Sequence, residues 1–138
     1  MSYPKTIAVD FDGCLCTRKW PDIGEPNWKA INKLIARQAE GYKLILWTCR
    51  EGKQLEEAVA WCRNHYLRFD AVNECLPEHK EYFGNDTRKV YADEYWDDKA
   101  VRVVAEDDCQ VFPGQIVCIP NAHAQKTLFQ KLKDWMSK

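Results

Sequence analysis

The stretch Thr6-Ile7-Ala8-Val9-Asp10-Phe11-Asp12-Gly13 decides how the rest of the chain is read. A short apolar, β-branched run stops abruptly at acid and glycine, which is the pattern of a buried strand. Working outward, the pattern recurs. Leu44-Ile45-Leu46-Trp47 reads as a second buried strand running into Thr48-Cys49-Arg50, and Phe69 to Val72 as a third. Val90-Tyr91-Ala92 and Tyr95-Trp96 surround a fourth that ends at Asp97-Asp98, and Ile116-Val117-Cys118-Ile119 forms a fifth. Helical spacing fills the intervals. Asn27 caps a helix carrying Trp28, Ile31, Leu34 and Ile35 that Gly41 stops, and Leu55, Val59, Cys62 and Tyr66 mark one face of a second. The polar segment from Pro77 to Arg88 reads as loop with one helical turn, and Asn121 caps a terminal helix bearing Leu128, Leu132 and Trp135. Buried strands alternating with helices predict an α/β fold, a parallel sheet covered on both faces, as one domain over 1–138.

Composition narrows the function classes. The chain has 138 residues, 46% hydrophobic and 12% aromatic, which argues against disorder and suits one domain. Its 20 Lys plus Arg stand against 21 Asp plus Glu, a net charge of −1, so no global basic excess favours nucleic acid. No apolar run has the length of a signal peptide or a membrane span, and the expected location is the cytoplasm, with no membrane partner. The seven cysteines are expected as thiols in a reducing compartment, Cys62 and Cys118 in the core. The six tryptophans are expected chiefly in the core, and the scattered His65, His79 and His123 at the surface.

Ligands in open α/β sheets bind beyond the carboxyl ends of the strands. There the first strand delivers Asp10 and Asp12, the second Thr48 and Arg50, and the fourth Asp97 and Asp98, with Lys89 just before it. Residues two apart on a strand share a side, so Asp10 and Asp12 are expected to face one site. Carboxylates gathered there repel one another, and a hard cation such as Mg²⁺ relieves that repulsion while also taking phosphate oxygens. A neutral hydroxyl on Thr48 and an ammonium on Lys89 suit the same phosphate. A carboxylate beside a metal can attack phosphorus, and a second carboxyl group can supply and recover the proton.

These residues resemble the four motifs of the haloacid dehalogenase-like (HAD) hydrolases. Asp10-Phe11-Asp12-Gly13 is similar to the first, Leu46-Trp47-Thr48 to the second, Lys89 to the third and Tyr95-Trp96-Asp97-Asp98 to the fourth, in family order along residues 7–98. The resemblance implies a three-layer Rossmann-like domain with a mainly parallel five-stranded sheet of order 5-4-1-2-3. It implies a Mg²⁺-dependent phosphatase cleaving a phosphomonoester through an aspartyl-phosphate. Asp10 would be nucleophile and metal ligand, and Asp12 acid–base, with its backbone carbonyl on the metal. Thr48, Lys89, Cys49 and Arg50 would bind phosphate, and Asp97, supported by Asp98, would hold Mg²⁺. Small capless members of the family continue their second motif as Thr48-Cys49-Arg50-Glu51-Gly52 does here.

Two departures stand out. Cys14 occupies the place of the family's usual Thr, which bears on turnover more than on fold, and residues 101–115, with Glu106-Asp107-Asp108, match none of the motifs. There is no room for a large cap, so the site is expected to be open, or closed by a flap at 14–26 or by a second subunit in a homo-oligomer. A small phosphorylated substrate is the expected partner. The alternatives are a catalytically weak binding or regulatory protein, and a phosphatase of a macromolecular end such as that of a nucleic acid. A signalling receiver domain would need its phosphoacceptor at the end of the third strand, where Asp70 lies inside instead. A zinc site at Cys14, Cys16 and Cys49 lacks recognised ligand spacing.

Overall fold

A computed structural model of the chain describes residues 4–105, 116–118 and 128–137. The chain forms two compact units, Met1–Asp98 and Lys99–Lys138. All four motifs lie in the first.

The first unit runs β1 (Thr6–Val9), α1 (Trp28–Ala39), β2 (Lys43–Leu46), α2 (Gly52–Asn64), β3 (Ala71–Val72), α3 (Pro77–Phe83) and β4 (Glu94–Trp96). Its sheet is parallel, in the order β3-β2-β1-β4. β1 lies at its centre, and its four residues are buried without interruption, as a strand covered on both faces requires. Side chains alternate between two cores. Ile7, Val9, Leu44 and Leu46 face Ile31 and Leu34 of α1 and Ala58 and Cys62 of α2. Ala8 and Ile45 face the other way, toward Ala71, Leu76 and Val90.

Helix boundaries follow local chemistry. The Asn27 side chain accepts the Ala30 amide at 3.3 Å, capping α1 as expected, and past its end Gly41 takes a φ of 99°. The second helix ends at Asn64, before Tyr66, which has a φ of 69° and is exposed; its place on the helix is corrected. The segment read as loop with one turn is the seven-residue α3, which opens on Pro77 and stops at a left-handed Gly84.

The second unit pairs β5 (Val103–Ala105) with β6 (Ile116–Cys118) in parallel and ends in α4 (Leu128–Met136). Here the expectation of five strands is corrected. Among the described residues the main sheet has four, and the segment read as its fifth strand pairs with Val103–Ala105 in a two-stranded sheet, so the order 5-4-1-2-3 does not hold. The third strand is also shorter than expected, two residues rather than Phe69 to Val72. Glu106-Asp107-Asp108, Asn121, His123 and the side chain of Cys118 lie outside the described residues. Cys62 is buried as expected, whereas His79, expected at the surface, is buried with its ring edge-on to Tyr91. Trp20, Trp28 and Trp135 are exposed rather than core.

Leu46 is fully buried between the sheet and the two helices. Leu46→Ala is expected to lower unfolding stability by about 2–5 kcal/mol, seen as a lower urea midpoint with an unchanged slope.

Candidate functional site

Register positions the site. Val9 pairs with Trp96, and beyond that pair the Asp10 amide donates to the Trp96 carbonyl at 2.9 Å. Asp10 and Asp97 therefore leave adjacent parallel strands side by side. On the other flank the Trp47 amide donates to the Val9 carbonyl at 2.8 Å, which brings the end of β2 to the same rim.

Carboxylate oxygens of Asp10, Asp97 and Asp98 lie within 4.8 Å of one another. Burial pushes the Asp10 carboxyl above its ordinary pKa of 3.8, and the charges of Asp97, Asp98 and Asp12 push it further, against a 2.8 Å hydrogen bond from the Phe11 amide. Asp98 is ion-paired with Arg18, whose Nε also donates to it at 3.1 Å. Gly13, at a φ of 80°, makes room for this arrangement, because a Cβ there would overlap the Asp98 carboxylate. The donor set is oxygen only, and its mutual repulsion is what a hard divalent cation neutralises. Mg²⁺ fits these three residues on both counts.

Asp12 belongs to a different arrangement. Arg50, at 2% exposure, forks its carboxylate from Nε at 2.8 Å and Nη2 at 2.7 Å. The same guanidinium donates to the carbonyls of Pro21 at 3.1 Å and Asp22 at 2.8 Å, and lies over the rings of Phe11 and Trp20, 5.0 and 4.9 Å from their centres. Asp10 and Asp12 both lie beyond the end of β1 at Val9, and the charge of Asp12 reaches Asp10 while Arg50 holds its carboxylate. Arg50, expected on phosphate, has its guanidinium engaged by Asp12 and the 20–22 backbone.

The 14–26 segment is tied down throughout. Cys16 bridges both Asp12 and Pro26, the Glu25 amide donates to Thr17 Oγ1 at 2.8 Å, and Asn27 Nδ2 donates to the Cys14 carbonyl at 3.0 Å. Cys14 itself keeps a donor role, its thiol reaching the Trp96 carbonyl at 3.8 Å. Burial first, then the charges of Asp10, Asp98 and Asp97, push that thiol up to about 12.

The remaining expected residues stand as follows. Thr48 lies just past β2, its hydroxyl accepting the Arg50 amide at 3.1 Å and its own amide donating to Asn73 Oδ1 at 2.8 Å. Cys49 is exposed. Lys89 is exposed, its ammonium 5.2 Å from the Tyr95 ring centre, and it forms no ion pair among the described residues. Asp70 accepts the Leu44 amide at 2.9 Å near the start of β2, away from the strand ends. Sequence reasoning missed Arg18 on Asp98 and Asn73 on Thr48. An asparagine after a strand, here at a φ of 54°, was the one available signal for the latter.

No family model and no curated protein matches the chain. A solved structure does, the conserved protein coded by a locus from Bacteroides thetaiotaomicron. It is 43% identical, with a TM-score of 0.63, and the match covers 72% of this chain and 79% of that one. The chain belongs to the family of that protein.

Arg50→Met leaves the Asp12 carboxylate without its fork and is expected to lower stability by about 3 kcal/mol in urea unfolding, with Arg50→Lys recovering only part. Asp10→Asn acts in the opposite direction. The raised pKa of Asp10 means its contribution to folding is present below the ordinary carboxylate range and is lost as pH rises through the raised value. At neutral pH in EDTA, Asp10→Asn is therefore expected to melt above wild type, and Mg²⁺ to raise the wild-type melting temperature more than that of the variant.

Proposed function

We propose that this protein is a Mg²⁺-dependent phosphohydrolase of the HAD type, cleaving a small phosphomonoester through an aspartyl-phosphate on Asp10. The observation that carries this reading is the convergence of Asp10, Asp97 and Asp98 at the carboxyl ends of two adjacent parallel strands. These three would hold Mg²⁺, with the Asp12 carbonyl as a further ligand by analogy. When bound, the metal would offset repulsion between the Asp10 carboxylate and the substrate's phosphate.

The chain's own residues then divide the work. Asp10 attacks phosphorus, and the leaving oxygen takes a proton from Asp12. In the second half-reaction Asp12 recovers that proton from the water that attacks the aspartyl-phosphate. Arg50 serves this step through Asp12, fixing both carboxylate oxygens rather than touching the phosphate. Thr48 and Lys89 bind phosphate oxygens, one as a neutral donor and one as a point charge, and Cys49 borders them. Cys14 leaves the arrangement around Trp96 intact as a protonated thiol. The cytoplasm is the location we assign, where the thiols of Cys14, Cys16, Cys49, Cys62 and Cys75 stay reduced. Among the described residues no helix is long and apolar enough to cross a membrane.

Phosphate release from a panel of monoesters, with Mg²⁺ and with EDTA, tests the proposal. Activity is expected only with the metal and should fall at least roughly 10³-fold in Asp10→Asn. Turnover that persists in EDTA or in that variant refutes the mechanism. Mg²⁺ and phosphate binding without turnover would instead mark a binding protein.

A further inference from the structure

A concavity of about 340 Å³ is bounded by Asn27, Lys29, Ala30, Lys33 and Trp96. It is tied to the site by backbone and side chain. The Trp96 carbonyl receives the Asp10 amide at 2.9 Å and the Cys14 thiol at 3.8 Å, and Asn27 holds the Cys14 carbonyl at 3.0 Å. The residue after Trp96 is Asp97 of the acid cluster.

Its charge runs opposite to that of the cluster. Lys33 Nζ lies 5.7 Å from the centre of the Trp96 ring, and Lys29 stands in the first turn of α1. Neither forms an ion pair among the described residues, whereas Arg37, one turn beyond Lys33, takes Glu94 at 2.6 Å. Lys29 also breaks a local rule. The amino end of a helix favours acids, yet this first turn carries none and holds a lysine instead. The charge of Lys33 also reaches Glu94, whose carboxylate accepts from the Trp96 indole at 3.1 Å, while no acid shares the first turn with Lys29. Two exposed cations beside one indole, a residue away from Asp97, suit an anion arriving with the substrate.

We propose that this concavity receives a second anionic group on the leaving group, so that the preferred substrate is a phosphomonoester carrying an additional carboxylate or phosphate. The proposal rests on the phosphohydrolase reading and extends it from reaction to substrate class. Indole and lysine stems supply apolar contact for the carbon chain between the two anions. Lys29 and Lys33 supply the charge.

The matched probes 3-phosphoglycerate and glycerol 3-phosphate differ by a carboxylate in place of a hydroxymethyl group. Their binding to Asp10→Asn protein in excess Mg²⁺, by calorimetry, reads the preference without turnover. 3-Phosphoglycerate should bind roughly tenfold more tightly. Adding Lys29→Gln and Lys33→Gln should bring the two affinities together. Fructose 1,6-bisphosphate against fructose 6-phosphate asks whether phosphate serves as well as carboxylate. Equal affinities in both pairs, or a preference that survives the two lysine substitutions, overturns the proposal. Wild-type turnover, measured in parallel, separates its failure from that of the phosphohydrolase reading. Both monoesters hydrolysed equally well defeats the pocket alone, and neither hydrolysed despite the binding preference defeats the reaction alone.

Discussion

The architecture of the site depends on one buried cation. Arg50 gathers three parts of the chain that are distant in sequence: its own position after β2, Asp12 after β1, and the carbonyls of Pro21 and Asp22. A guanidinium taken out of water is tolerable only when its donors are met, and here a carboxylate and two carbonyls meet them while it lies over the rings of Phe11 and Trp20. The planar fork imposes direction as well as charge. The 14–26 segment thereby acquires a defined path, and Asp12 acquires a fixed orientation.

The second constraint is repulsive. Parallel pairing of β1 with β4 forces Asp10 and Asp97 together, and Asp98 is added across the hydrogen of Gly13. Burial and like charge both raise the Asp10 pKa. Stability is given up at the proposed metal site. Arg18 offsets part of this charge on Asp98 from the solvent side. Lys29 and Lys33 bound a concavity with Trp96, the residue before Asp97.

Much of the frame was legible in the chain. β1 and β2 were readable because a strand buried on both faces must be apolar at every position, and Thr6–Val9 and Lys43–Leu46 nearly are. The Asn27 cap was readable because one side chain satisfies one amide locally. Short elements were less so. Two residues of β3 and three of β4 carry no periodicity, and α3 was masked by the polarity of Pro77–Phe83. The location of β6 was not readable at all, since an apolar triplet does not state its partner and Val103–Ala105 supplies one as good as the main sheet.

By itself the sequence determined which side chains end which strands. Parallel strands all point their carboxyl ends one way, so Asp10, Thr48 and Asp97 had to emerge at a common rim. Only tertiary structure decided what each does there. Beyond the end of β1 at Val9, Asp10 joins the carboxylates of Asp97 and Asp98, and Asp12 takes Arg50 as its partner. The same holds for Arg50, which in sequence is one more cation near a phosphate motif. Its burial depends on contacts with residues 28 to 38 positions away, and no local pattern records them.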